Sequence, residues 1–188
     1  MDVQIRRAVL EDAGALLGIY QHYVLHTAVT FEYDVPTLEE FRGRMNNITQ
    51  KYPWLVAETD GKIIGYAYAG AFRTRAAYGW SAEMTVYLHH ECRGQGVGRQ
   101  LYEVLEDSLG RMGVLNLYAC IGVPEEEDEY LTFASARFHE RMGFTRNGFF
   151  HRCGYKFDRW YHMVWMEKII GEHRSNQPPV KPFSEVAF

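Results

Sequence analysis

The stretch Glu83-Met-Thr-Val-Tyr-Leu-His-His-Glu-Cys-Arg-Gly-Gln-Gly-Val-Gly98 decides how this chain is read. From Ala82 to Leu88 the residues alternate: Ala82, Met84, Val86 and Leu88 share one face, and Glu83, Thr85 and Tyr87 share the other. That period predicts a strand with one side on a core. Gly94, Gly96 and Gly98 follow, where backbone must turn tightly or come close to a ligand. Val97, Leu101, Val104, Leu105, Ser108 and Met112 then repeat at helical spacing. A glycine turn at a helix start presents unpaired amides and the positive end of a macrodipole, which suits phosphate.

Two common phosphate loops do not fit. A P-loop needs Lys and then Ser or Thr after its last glycine, and Gly98 is followed by Arg99 and Gln100. The dinucleotide fingerprint needs Gly-x-Gly-x-x-Gly, and Gly94-x-Gly96-x-Gly98 has another spacing. Arg93-x-x-Gly96-x-Gly98 after an apolar strand resembles motif A of the GNAT superfamily of acyl-CoA-dependent N-acetyltransferases. In that superfamily the loop amides hold the coenzyme A pyrophosphate.

The chain's 188 residues suit one domain with a real core. Its formal net charge of −4 disfavours a general binder of nucleic acid or anionic membrane, which needs a cationic surface. No apolar run reaches membrane-spanning length, and Met1-Asp-Val-Gln-Ile-Arg has no signal-peptide core. Cys92, Cys120 and Cys153 lie far apart, which reads as a reduced, cytoplasmic protein.

Outward from the central stretch, Val3 to Ala8 reads as a strand and Glu11 to His26 as a helix. Thr37 with Glu40 forms a capping box for a second helix to about Gln50. Trp54–Glu58 and Lys62–Phe72 read as strands around the hairpin dipeptide Asp60-Gly61. In the second, Ile63, Gly65, Ala67, Ala69 and Ala71 leave one face small enough for a close helix. An apolar strand, Val114 to Ile121, follows the central helix, so strand–helix–strand implies a parallel pair with a right-handed crossover. Glu125 to Glu129 reads as a solvated charge run, and Thr132 to Met142 as a helix ending at Gly143. Two more strands are expected around Phe149–Cys153 and His162–Ile169. Residues 1–170 then form the domain, and 171–188 a polar, proline-rich tail that is extended, disordered or strapped onto a neighbour.

The order of elements from Val3 to about Lys168 matches the GNAT fold. The resemblance implies an α/β (α+β) architecture: a mixed, mostly antiparallel twisted sheet with a central parallel strand pair and flanking helices. Within the superfamily the chain looks closest to the phosphinothricin N-acetyltransferase branch. The blocks that carry this are Tyr52-Pro-Trp-Leu-Val-Ala-Glu58, Gly65-Tyr-Ala-Tyr-Ala-Gly70, Glu83-Met-Thr-Val-Tyr-Leu88, Phe138-His-Glu140 with Gly143-Phe144, and Gly154-Tyr-Lys-Phe-Asp-Arg-Trp160. The resemblance implies acetyl-CoA as co-substrate, no metal, and a small amine acceptor such as phosphinothricin, methionine sulfone or methionine sulfoximine. It also implies a detoxifying, cytoplasmic enzyme that forms a homodimer and binds neither nucleic acid nor membrane. The aromatic residues Phe149, Phe150, Tyr155, Phe157, Trp160, Tyr161 and Trp165 suit a partner surface.

The family's coenzyme contacts carry over to Val86, Tyr87 and Leu88, then to Arg93, Gly94, Gln95, Gly96, Val97, Gly98 and Arg99. A pantetheine arm is an amide chain and can pair with the exposed strand edge, leaving its pyrophosphate on the loop. The acceptor-contacting segment carries over to Arg73, Arg75, Ala76, Ala77 and Tyr78; an arginine fork pairs well with an acid group on the acceptor. Two loop arginines read equally as solvated side chains. The chain departs from the family twice. Thr132 or Glu125, depending on the direction of counting, stands where the family has a coenzyme-contacting Asn, and Trp160-Tyr-His162 replaces Trp-x-Asp.

Acetyl transfer from a thioester to an amine needs a base for the ammonium proton, donors for the developing oxyanion and a proton for the departing thiolate. Spacing alone makes Glu83 a surface strand carboxylate; the resemblance makes it the general base for direct attack. An apolar pocket would raise its pKa toward neutrality. His139 stands where many GNAT enzymes have a Tyr near the sulfur. It reads either as a partner of the thiolate or as a helix histidine tying down the last strand. A backbone N–H near Tyr87 is the expected oxyanion donor. His22 and His26, four residues apart, lack a third ligand, so packing is expected there instead of metal. Two other functions remain open: transfer to a polyamine or protein amine, with Glu125–Glu129 supplying acidic groups, and a non-catalytic acyl-CoA-sensing domain.

Overall fold

A computed structural model describes residues 2–188. Its strands are β1 (Gln4–Arg7), β2 (Trp54–Thr59), β3 (Lys62–Ala71), β4 (Ser81–Leu88), β5 (Asn116–Val123), β6 (Thr145–Lys156) and β7 (Arg159–Ile169). Its helices are α1 (Ala13–His26), α2 (Leu38–Thr49), α3 (Val97–Met112) and α4 (Ala134–Arg141). The strands follow the order β1-β2-β3-β4-β5-β7-β6 in one seven-stranded sheet. Pairs β1/β2, β2/β3, β3/β4 and β6/β7 are antiparallel. Leu115 and Asn116 N–H both donate to the Trp80 carbonyl, at 2.9 and 3.1 Å, so β4 and β5 start side by side and run parallel. This is the mixed, mostly antiparallel sheet with one parallel pair. No helix among the described residues is long and apolar enough to cross a membrane.

The residues fall into two compact units. The first holds the chain up to Ile19, Pro36–Leu117 and Ile169–Phe188. Local chemistry explains its elements. The Thr37 hydroxyl accepts from Glu40 N–H while the Glu40 carboxylate accepts from Thr37 N–H, closing the capping box at the start of α2. Asp60 and Gly61 have φ of 50° and 71°, the pair of left-handed residues that a tight hairpin needs. α2 lays Phe41 edge-on against Trp54 and Tyr66, so it covers the aromatic face of β2 and β3. α3 lies against β2, β3 and β4. Before α1, Leu10–Asp12 forms a tight turn, so the helix starts later than periodicity suggests. Asp12 is fixed there by two bonds from Arg6, at 2.8 and 2.9 Å, and by Val9 N–H.

The tail has little regular structure and is bonded to the rest of the first unit. Lys181 N–H donates to Met112 O, Phe183 N–H to Lys51 O, and the buried Phe183 ring lies under the Arg7 guanidinium at 4.3 Å. Residues 169–188 therefore pack as part of the first unit.

The second unit holds Tyr20–Val35 and Tyr118–Lys168. β6 and β7 are longer than expected and meet in a turn at Phe157-Asp158, both left-handed with φ of 52° and 57°. Gly143, with φ of 88°, follows the end of α4 as a left-handed stop. The Phe31 ring fills a notch where Gly154 leaves no side chain, and stacks on Tyr161. The glutamates of the Glu125–Glu129 run are solvent-exposed, as expected, and most of the run is also paired. Glu125 binds Arg152, Glu127 binds Arg137, Glu129 binds Arg159, and Asp128 accepts from Tyr130 N–H, Leu131 N–H and Tyr161 OH.

Candidate active site

β4 brings the first group. Ala82 and Met84 are buried, while Glu83, Thr85 and Tyr87 lie half-buried on the opposite face, as the alternation requires. Across the ladder Glu83 pairs with Gly70, and the space where a Gly70 side chain would stand is open for 4 Å. The carboxylate thus has a vacant neighbour position on its own face of the sheet. Tyr68, two residues back on β3, shares that face diagonally, its ring stacked on Trp54 at 4.2 Å. Burial pushes the Glu83 carboxyl above its usual range, and the positive charge of Arg73 opposes that rise. A carboxylate raised toward neutrality beside open space is equipped to take a proton from a bound amine.

Arg73 belongs to the excursion from Phe72 to Trp80 between β3 and β4. Its guanidinium lies 4.3 Å from the Phe72 ring and donates to the Phe72 carbonyl at 2.7 Å. Tyr78, 39 % exposed, stands edge-on to Phe72. Arg75 precedes a short turn over Ala76–Tyr78. Arg73 and Tyr78 are therefore gathered around one ring, and Arg73 lies within electrostatic reach of Glu83.

At its far end β4 runs into the glycine loop. Val86, Tyr87 and Leu88 pair with Ala67, Tyr66 and Gly65; any side chain at Gly65 would meet Leu88 at 2.5 Å. Gly94 and Gly96 take φ of 76° and 83°, left-handed values that favour glycine. Gly96 caps α3, and the first helical bond back to it comes from Gln100 N–H at 3.1 Å. The amides of Val97, Gly98 and Arg99 thus precede any internal partner. No acidic residue lies in the first turn of α3, and side-chain space at Gly94 and Gly96 is open for 4 Å. A pyrophosphate fits this donor set: amides, a positive helix end and no competing carboxylate.

A scan for known families matches residues 5–165 to an acetyltransferase (GNAT) domain. The chain belongs to the GNAT acetyltransferase family. This GNAT chain is 33% identical to a phosphinothricin N-acetyltransferase of Streptomyces viridochromogenes over 184 residues, 98% of this chain and 96% of that protein. It is 34% identical to an L-methionine sulfoximine/L-methionine sulfone acetyltransferase of Salmonella typhimurium, covering 90% of this chain and 95% of the relative. Among solved structures it resembles a phosphinothricin acetyltransferase from Sinorhizobium meliloti in complex with AcCoA. The TM-score is 0.85 at 32% identity, over 96% of this chain and 94% of the other.

His139 sits in the second unit, on α4. Its Nδ1 lies 2.8 Å from the Ser135 carbonyl, which only accepts, so Nδ1 carries the proton and Nε2 a lone pair. Burial pushes its pKa down to about 4, leaving the ring neutral near pH 7. His162 accepts from Arg152 N–H at 2.9 Å, where Arg152 is left-handed (φ 46°) in an irregularity of β6. The histidine that replaces the family's aspartate thus serves the backbone of the hairpin. Thr132 accepts from Ala134 N–H at the start of α4, and Glu125 pairs with Arg152. Sequence reasoning missed Gly70 and Tyr68, because both matter only through their register with Glu83. The alternation of β3 against β4 was the available signal.

Proposed function

We propose that this protein transfers an acetyl group from acetyl-CoA to the amine of a small amino-acid-like acceptor of the phosphinothricin or methionine sulfone/sulfoximine type. The observation that carries the reading is Glu83: a half-buried carboxyl with raised pKa beside open space, on the strand that feeds the glycine loop. The reading is supported by the phosphinothricin and methionine sulfoximine/sulfone acetyltransferases that the chain resembles.

In this mechanism the Gly94–Arg99 amides hold the pyrophosphate and the Val86–Leu88 backbone pairs with the pantetheine arm. Arg73, Arg75 and the turn Ala76–Tyr78 receive the acid group of the acceptor. Glu83 takes one proton from the acceptor ammonium. The freed amine attacks the thioester carbon, forming the C–N bond and placing negative charge on oxygen, which a β4 amide near Tyr87 stabilises. Collapse breaks the C–S bond. The second nitrogen proton passes to the departing thiolate, giving free thiol and neutral amide, and Glu83 returns its proton to solvent. His139 donates no proton in this scheme, because its ring is neutral with Nδ1–H committed to Ser135.

A polyamine acceptor is less well supported, since four acids of the 125–129 run are bound to arginines, tyrosine or backbone amides. A cytoplasmic, detoxifying homodimer completes the reading. The aromatic patch expected for a partner narrows to Phe149, Phe150, Tyr155 and Trp160, 43–57% exposed, because Tyr161 is buried and Phe157 stacks on Tyr130. Release of free thiol from acetyl-CoA across an amine panel, beginning with methionine sulfone, methionine sulfoximine and phosphinothricin, tests the proposal. Turnover with none of them, or faster turnover with polyamines, overturns it.

A further inference from the structure

The last eighteen residues lie beyond the GNAT match, yet they reach into the wall of the candidate site. Trp80 ends the Phe72–Trp80 excursion and stands three residues before Glu83. Its indole N–H donates to the Pro178 carbonyl at 2.7 Å. Its own carbonyl accepts from Leu115 and Asn116 N–H. Asn116 in turn accepts from His173 Nε2 at 2.9 Å and donates to Ser81 Oγ at 3.3 Å. Two tail residues, His173 and Pro178, thus converge on the Trp80–Ser81 junction.

Beyond that junction the tail is tied down hard. Ile170 N–H donates to Leu115 O, Lys181 N–H to Met112 O, Phe183 N–H to Lys51 O, and Arg7 to the Val186 carbonyl. Phe183 and Val186 are buried. The opposite end of the excursion leaves the ladder at Ala71–Ala82 and is followed by a long bond from Phe72 N–H to Ser81 O at 3.5 Å. Residues Arg73–Gly79 are mostly exposed and contain one short turn over Ala76–Tyr78. The tail therefore braces the Trp80 end of an exposed loop.

We propose that the C-terminal segment Glu172–Phe188 is a brace for the acceptor side of the site, with Trp80 as the positioning residue through which it acts. The inference rests on the reading of Arg73–Tyr78 as the acceptor-contacting segment. The tail's bonds run to Trp80, Asn116, Met112 and Lys51; through Trp80 the brace fixes where Arg73 stands relative to both acceptor and base.

The test compares the parent with Trp80→Phe, which keeps a ring and removes the one N–H, and with a chain ending at Glu172. In Trp80→Phe the acceptor KM should rise roughly two- to tenfold, the worth of one hydrogen bond, with the acetyl-CoA KM unchanged. The pH–rate limb assigned to Glu83 should move to higher pH. Glu83 is faced by Arg73 from the excursion, Tyr68 from β3 and Tyr102 from α3, and Arg73 is the charged one that favours its ionised form. A looser excursion weakens that influence. The shortened chain should show both effects more strongly.

Amide hydrogen exchange over residues 72–81 reads the brace without any turnover, which keeps its failure distinct from failure of the acetyl-transfer reading. Faster exchange there in Trp80→Phe, with α3 unchanged, supports the brace. Parental exchange overturns it, whatever the activity. Loss of kcat alone, with KM values and pH limb unmoved, also overturns it and makes the tail a stabilising segment only.

Discussion

Replacing Gly96 by valine separates the cost of a strained loop from the loss of a phosphate site. Gly96 has φ of 83°, and a Cβ there meets no protein atom within 4 Å. A Cβ at this position therefore creates no clash in the free protein. The left-handed backbone strain costs about 1–2 kcal/mol of stability. For a chain of this length that is a fall in Tm of roughly 2–8 °C. The ligand pays differently. On the proposed placement, the added side chain stands in the way of phosphate oxygens bound for the Val97, Gly98 and Arg99 amides. Losing even one charge-assisted bond is worth about 1.5–3 kcal/mol, a rise in Kd of roughly tenfold to 150-fold. Calorimetric titration with acetyl-CoA, alongside a thermal melt of the free variant, gives both numbers. A folded Gly96→Val protein that binds acetyl-CoA as tightly as the parent would refute the placement of the pyrophosphate on this loop.

Gly70→Leu should fill the open position across from Glu83, raising acceptor KM at least tenfold while coenzyme affinity, measured by the same titration, holds; an unchanged acceptor KM would put the acceptor elsewhere. Lys156 is buried, with Nζ donating to the Thr27 and Thr30 carbonyls, and desolvation lowers its pKa from 10.5 to about 8. The fold then binds fewer protons than the unfolded chain between pH 8 and 10.5, so this group's contribution is fully present above 10.5 and lost as pH falls through 8. Urea unfolding of the parent and Lys156→Met across that window should show the parent gaining on the variant as pH rises; a flat difference contradicts the assignment. Light scattering should show a dimer that Trp160→Glu weakens, and a parent that stays monomeric at high concentration removes the partner surface.

What was legible in the sequence was what adjacent residues decide. The capping box at Thr37 and Glu40, the left-handed pair at Asp60-Gly61 and the alternation around Glu83 each depend on a few neighbours, and each formed as expected. The turn at Phe157-Asp158 was not legible, because two non-glycine residues take left-handed φ there and leave no glycine signal. The pairing of the exposed acidic run was not legible because its arginine partners, Arg137, Arg152 and Arg159, come from α4, β6 and β7. The tail's anchoring was not legible because composition shows prolines and polar groups but not that Phe183 seats under Arg7. Gly70 illustrates the same limit at the site. A glycine in a strand is unremarkable until the register sets it opposite a carboxylate.

The central claim is that Glu83 is the base. The pH–rate profile of Glu83→Gln against the parent, with methionine sulfone or the best amine of the panel as acceptor, tests it most directly. In the parent, kcat/KM should rise with pH through the raised pKa of Glu83 and then level off, since the base must be ionised to accept the ammonium proton. In the variant, turnover near neutral pH should fall by about a hundredfold or more, with acetyl-CoA affinity unchanged, and the rising limb should vanish or shift toward the pKa of the free amine. A Glu83→Gln enzyme that keeps both the parental rate and the parental pH limb would take the base role away from Glu83.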